Sequence, residues 1–210
     1  MDFPWPGIGV IPHHMSLRRN KPTVRSGDGR HRSIETKRLI LRQFRASDFE
    51  RYAEMCADAE VMQYLGGLPM TRTEAWRNLA TVLGHWELRG YGLWAVEQRS
   101  AQGLIGRVGC WRPEGWPGLE LAWTLRRDCW GQGYATEAAR AAMEFAFLVL
   151  RQRRVISLIH PANSRSIAVA LRLGMQPERS IKIEGHTVLE YGVRSPGSLE
   201  TAANGGLVSG

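Results

Sequence analysis

Gly131-Gln132-Gly133 separates an apolar run, Leu119 to Leu125, from a segment in which Tyr134, Ala138, Ala142, Phe145 and Val149 recur at helical spacing. A glycine turn before a helix can do chemistry. Glycine takes dihedrals closed to other residues and lets main chain approach a ligand, while the first N–H groups of the helix and its positive dipole end attract an anion. The expected ligand is a phosphate. Two common phosphate binders are disfavoured, because Thr136 stands where the third glycine of G-x-G-x-x-G would be and no G-x-x-x-x-G-K-[ST] occurs in the chain. The strand before the turn alternates, with Leu119, Leu121, Trp123 and Leu125 on one face and Glu120, Ala122 and Thr124 on the other, so Glu120 is its only carboxylate.

The elements that must position these residues follow from periodicity. Ile34 to Gln43 reads as a strand, and Ser47-Asp48-Phe49-Glu50 as a capping box opening a helix with Phe49, Tyr52, Ala53 and Cys56 inward. Thr71-Arg72-Thr73-Glu74 opens another, with Trp76, Leu79, Ala80, Leu83 and Trp86 expected on its core face. Tyr91 to Glu97, Leu104 to Trp111 and Leu119 to Leu125 read as an antiparallel meander. After the turn and long helix, Val155 to Ile159 is a short buried strand, parallel to the one before the turn. Asn163 or Ser164 caps the next helix, Gly174 ends it, and Arg179 to Ile183 with Val188 to Val193 close the sheet.

Trp130-Gly131-Gln132-Gly133-Tyr134-Ala135-Thr136-Glu137-Ala138 resembles the acetyl-CoA pyrophosphate loop of the GNAT N-acetyltransferases, in the branch of the ribosomal-protein N-terminal acetyltransferases. Gly133 and Ala135 fill the small positions of the family pattern, and Trp130 stands where an Arg or Gln is general. Glu35 to Arg42 resembles the opening strand of that branch, and Asn163-Ser164-Arg165-Ser166-Ile167 with Leu173-Gly174-Met175 resembles its Asn-x-x-Ser helix. The resemblance covers about residues 34 to 193 and implies an α+β fold: a mixed, mostly antiparallel sheet flanked by helices, its strands splayed where acetyl-CoA enters.

The resemblance also implies roles. Glu120 would be the general base, its pKa raised by burial, against the plainer reading of an exposed or ion-paired carboxylate. The Leu125 N–H would polarise the acetyl carbonyl. Asn163 and Ser166 would line the pantetheine arm, with Ser166 as binder or proton donor because the later helix has no Tyr; their plainer reading is capping. The implied cofactor contacts are Leu125, Arg127, Trp130, Gly131, Gln132, Gly133, Tyr134, Ala135, Thr136, Asn163 and Ser166, with Arg126 and Arg165 near the phosphates. Gly66 to Met70, the Trp111 to Trp116 turn and Glu120 would face the amine acceptor, a protein N-terminus or a small molecule. Trp111 and Trp116 would hold a cationic amine or serve as packing lids.

Composition agrees. With 43% hydrophobic residues in 210, the chain can bury one core, and it has no run of the roughly 20 apolar residues a membrane span needs. A cytoplasmic acyltransferase using acetyl-CoA without a metal is the expectation; a homodimer is compatible with it. Cys56, Cys110 and Cys129 are odd in number, suit a reducing compartment and read as small, partly buried hydrophobes. The net charge of +8 favours polyanions, but Arg18, Arg19, Lys21, Arg25, Arg30, His31 and Arg32 place part of it in residues 1 to 33, expected to be largely disordered, as are residues 194 to 210. Met15 is an alternative start, and His13-His14 reads as solvated tail. A non-catalytic acyl-CoA-binding module and a basic RNA- or ribosome-associated protein are the competing readings; the absence of RNP-like strands or a KH-type loop disfavours nucleic acid.

Overall fold

The computed structural model describes residues 23–26, 32–183 and 185–196. Its strands are β1 (Thr23–Ser26), β2 (Arg32–Glu35), β3 (Leu39–Arg42), β4 (Leu93–Gln98), β5 (Ala101–Trp111), β6 (Glu120–Leu125), β7 (Arg154–Ile159), β8 (Gln176–Ile183) and β9 (His186–Arg194). The main helices are α1 (Phe49–Ala57), α2 (Ala59–Met62), α3 (Arg72–Arg89), α4 (Tyr134–Leu148) and α5 (Ser164–Arg172). The strands form one mixed sheet in the order β1-β2-β3-β4-β5-β6-β7-β9-β8, in which only β6 and β7 run parallel. This is the expected GNAT fold, with the meander β4-β5-β6 and the parallel pair around α4 where the periodicity placed them.

Helices cover both faces. On one, α4 buries Ala138, Ala142 and Phe145 against Trp94, Leu121 and Leu125; the Phe145 and Trp94 rings meet edge to face at 4.9 Å. Burying a side chain such as Phe145 contributes about 1.5–3 kcal/mol. On the other face, Tyr52, Cys56, Leu79 and Val82 of α1 and α3 pack over Leu93, Ala95 and Leu104. The three cysteines are buried free thiols.

Four local expectations change. The strand expected over 34–43 is two antiparallel strands, because the chain turns at Thr36 to Arg38; Ile34 faces Leu41 in the register. Residues 23–26 and 32–33 lie in the segment expected to be disordered, yet 23–26 pairs with 32–35. The first helix has no Ser47–Glu50 capping box: Asp48 accepts the Arg45 N–H at 2.7 Å, and Glu50 pairs with Arg72 instead. Finally, α3 keeps its Thr71–Glu74 box but buries Ala75, Leu79, Val82 and Trp86 and leaves Trp76 60% exposed, because packing on α1 and the sheet selects one of two overlapping helical stripes. The calls on His13, His14, Met15, Arg18, Arg19, Lys21, Arg30, His31 and residues 197 to 210 fall outside the described residues.

Candidate active site

The site begins where two strands part. β6 and β7 are in register at Glu120 opposite Ile156, and beside it the Ile156 N–H donates to the Leu119 carbonyl at 2.9 Å. One residue on, the Ser157 hydroxyl donates to the Leu121 carbonyl at 2.7 Å. No β7 residue is in register with Trp123 or Leu125. On the opposite edge of β6, the Arg126 N–H donates to Ile105 of β5 at 2.9 Å. Main-chain groups alternate in direction along an antiparallel strand, so the N–H and C=O of Leu125 point away from β5 into the gap. The Leu125 carbonyl accepts the Trp130 indole N–H at 2.9 Å.

Beyond the gap the chain makes the glycine turn. Gly131 and Gly133 have φ of 74° and 77°, left-handed values that favour glycine, and Gly133 is the N-cap of α4. A Cβ on Gly131 would meet nothing within 4 Å and one on Gly133 only Arg38 Nη2 at 3.4 Å, so backbone conformation, not space, requires these glycines.

The turn is held from outside. Glu137, in the first turn of α4, accepts from the Thr36 hydroxyl (2.7 Å), the Arg38 N–H (2.8 Å) and Arg38 Nε (2.6 Å), while Arg38 Nη1 donates to the Gln132 carbonyl at 2.8 Å. The Arg38 guanidinium also lies 4.5 Å from the Tyr134 ring centroid. The motif reading missed this clamp; a carboxylate in the first turn after the glycines, with Thr36 and Arg38 in the turn after β2, was its signal.

The gap and turn open into a cleft of about 1810 Å³, larger than the roughly 300–1,000 Å³ of ordinary small-ligand pockets. Its wall carries the expected Leu125, Trp130, Gly131, Gln132, Gly133, Tyr134, Ala135, Thr136, Asn163 and Ser166. Asn163 caps α5 by accepting the Ser166 N–H at 3.1 Å, and the Ser166 hydroxyl accepts the Trp123 indole N–H at 3.3 Å. Arg165 stacks over the Trp130 ring at 4.6 Å. Lys37, Arg140 and Arg172 bring positive charge to the same wall, and sequence reasoning missed all three.

Arg127 is a correction. It does not line this cleft but pairs with Asp58 at 3.0 Å and Glu60 at 2.7 Å, because the turn Arg127–Cys129 directs it toward the start of α2. Its structural effect is to tie that turn to α2.

Glu120 lies at the closed end of the gap, off the cleft wall. It is 9% exposed, accepts the Trp116 indole N–H at 2.8 Å, and lies 3.5 Å from the Leu158 N–H. Burial pushes its pKa up to about 7, against the opposing pull of the Trp116 and Leu158 hydrogen bonds and the Arg107 charge. The exposed-carboxylate reading therefore fails, and the group can exchange a proton near neutrality. Of the proposed lids, Trp111 stacks on His85 at 4.3 Å and Trp116 is tied to Glu120.

Residues 38–176 match the acetyltransferase (GNAT) domain family, and the chain belongs to it. It is an acyltransferase of that family. The uncharacterized protein YkkB of Bacillus subtilis (strain 168) is 34% identical over 133 residues, 60% of this chain and 73% of that protein. The uncharacterized N-acetyltransferase YnaD of the same organism is 29% identical over 149 residues, 71% of this chain and 85% of that protein. Among solved structures, an acetyltransferase from Agrobacterium tumefaciens str. C58 aligns with a TM-score of 0.71 and 29% identity, over 78% of this chain and 94% of that one. RimL, the ribosomal L7/L12 alpha-N-protein acetyltransferase solved in complex with coenzyme A, shares the fold at a TM-score of 0.62 and 19% identity, over 76% of this chain and 95% of that one.

Proposed function

We propose that the protein transfers an acetyl group from acetyl-CoA to a primary amine, with Glu120 as general base. The observation that carries this reading is the Leu125 N–H aimed into a gap that runs into a left-handed glycine turn at a helix start. That cradle fits acetyl-CoA: free helix N–H groups for the pyrophosphate, cationic side chains along the wall, and Asn163 and Ser166 beside the pantetheine path.

When bound, acetyl-CoA supplies a thioester carbonyl for the amine to attack. The Leu125 N–H donates to the acetyl oxygen as negative charge develops there. Glu120, ionised in part at neutral pH, takes the proton that the attacking nitrogen must shed, through water because it lies off the cleft wall. The carbon–nitrogen bond forms, the carbon–sulfur bond breaks, and the thiolate departs with the electron pair. A thiol titrates near 8.5, so the thiolate needs little help, and Ser166 can donate a hydrogen bond to it.

Two measurements test the reading. Wild type should be stabilised thermally by acetyl-CoA, and Gly133→Val, strained at a left-handed φ, should lose most of that stabilisation. A broad screen of amines with mass readout should show N-acetyl products. Equal stabilisation of both proteins would remove the pyrophosphate site, and binding without turnover of any amine would favour the non-catalytic module.

A further inference from the structure

Among the described side chains, four arginines are partly or fully withdrawn from solvent: Arg42, Arg107, Arg126 and Arg154. Three meet carboxylates. Arg42 pairs with Asp48 and Glu97, Arg126 with Glu54 and Asp128, and Arg154 with Glu178 and Glu190. Arg107 has neutral partners only: its Nη1 donates to the Tyr52 hydroxyl at 2.6 Å and to Asn78 Oδ1 at 2.7 Å, and the Tyr52 hydroxyl donates to the same Asn78 oxygen at 2.6 Å. Among the described residues only Nη1 is engaged, which leaves Nε and Nη2, the fork that grips a carboxylate at two points.

Glu120, on the same face, is near enough to feel the Arg107 charge but makes no hydrogen bond to it, and a partly withdrawn guanidinium with no carboxylate in contact is suited to a ligand that supplies one. The location of Arg107 says which ligand. It stands directly across from Thr124 in the β5–β6 register, and residues opposite each other share a face, so Arg107 lies on the Glu120 side of the sheet. Thr124 lines the cleft, at the level where β6 has no β7 neighbour and the Leu125 N–H enters the gap.

We propose that Arg107, held by Tyr52 and Asn78, receives the carboxylate of the acceptor, so that the acceptor is a small amine carrying a carboxylate close to its amino group, as an amino acid does. This rests on the acetyltransferase reading above. The carboxylate would supply the contact ion pair that Arg107 lacks and present the amine to the gap from the α1–α3 face.

The test uses the full-length protein with matched acceptors, amino acids and their carboxamides, at saturating acetyl-CoA. Wild type should favour the acids by about tenfold or more in kcat/KM, chiefly through KM, the usual worth of a charge-assisted pair. Arg107→Gln should bring that ratio to about one. Should Arg107→Gln fail to fold, Asn78→Asp keeps the arginine but supplies a permanent counter-charge, and it should abolish the preference too. Equal use of acid and amide by wild type overturns the proposal while leaving N-acetylation intact, and so does a preference that survives in every folded variant. If no amine in this panel or in the broad screen above is turned over, the N-acetylation reading fails. Calorimetry with N-acetyl amino acids and their amides, CoA present, then decides the subsite alone: binding of the acids that Asn78→Asp removes supports it, and absent or equal binding overturns it.

Discussion

The Nε of Arg38 lies 2.6 Å from Oε2 of Glu137, joining the turn after β2 to the first turn of α4 across 99 residues of sequence. The same guanidinium holds the Gln132 carbonyl at 2.8 Å, so one side chain fixes both sides of the glycine turn. Partial burial disfavours the Glu137 charge, but hydrogen bonds from Thr36 and Arg38 outweigh it and keep the carboxyl below its ordinary range. A lowered folded pKa means the clamp contributes stability above the unfolded pKa and loses it as pH falls through the folded one. Glu137→Gln should weaken acetyl-CoA binding by about 1 kcal/mol, a five- to tenfold rise in Kd, since one charged acceptor serving three donors is lost. Calorimetric titration checks this; an unchanged Kd would mean that the turn holds its shape without the clamp.

Glu120→Gln should separate catalysis from folding. Activity should fall about 10²-fold in kcat/KM, the worth of a positioned base, and the inflection near pH 7 should vanish from the pH–rate profile. Stability should move the other way. The folded pKa of about 7 lies above the ordinary 4.5, so the group's contribution is present below the unfolded value and is lost as pH rises through 7. At pH 8 the buried charge therefore costs the wild type on the order of 3 kcal/mol that the amide variant avoids. A variant both inactive and less stable at pH 8 would show that Glu120 holds structure, not protons.

Trp116 tunes the same group. Its indole N–H donates to Glu120 Oε2 at 2.8 Å and favours the ionised form. Trp116→Phe keeps the ring and removes the donor, so the Glu120 pKa should rise and the alkaline plateau of kcat/KM should begin at higher pH. A profile that stays in place would mean that water replaces the indole.

The glycine turn, the strand before it and the Asn163 cap were legible because each rests on local chemistry: a left-handed φ, a period of two, a side chain closing a helix end. The partners that bury Glu120 were not. Alternation placed it opposite the leucines without saying that Trp116 and Leu158 would cover that face. Arg127 misled for the same reason, since nothing near it in sequence foretold Asp58 and Glu60. The Trp76 stripe failed because an amphipathic count tolerates two overlapping faces, and only packing on α1 and the sheet chose Ala75, Leu79 and Val82. Long-range partners, which propensity does not encode, also made the Arg38–Glu137 clamp and the neutral cradle of Arg107 invisible.

His85 should make the acceptor side acid-sensitive. Its Nδ1–H donates to the Tyr91 carbonyl at 2.8 Å, its Nε2 accepts the Arg112 N–H at 3.1 Å, and its ring stacks on Trp111, the residue opposite Glu120. Both nitrogens are thus committed to the neutral ring, since a proton on Nε2 would face the Arg112 N–H. Burial lowers its pKa, with the Arg89 charge acting in the same direction, while the Nδ1–H bond to the Tyr91 carbonyl opposes. For a lowered folded pKa, stability is present above the unfolded value near 6.5 and is lost as pH falls through the folded one. His85→Leu should cost about 1–3 kcal/mol at pH 7.5, where it strands two backbone groups. It should also flatten the acid side of the stability curve, so the gap in Tm between wild type and variant should narrow from pH 7.5 to pH 5. A gap that stays constant over that range would place the acid sensitivity elsewhere.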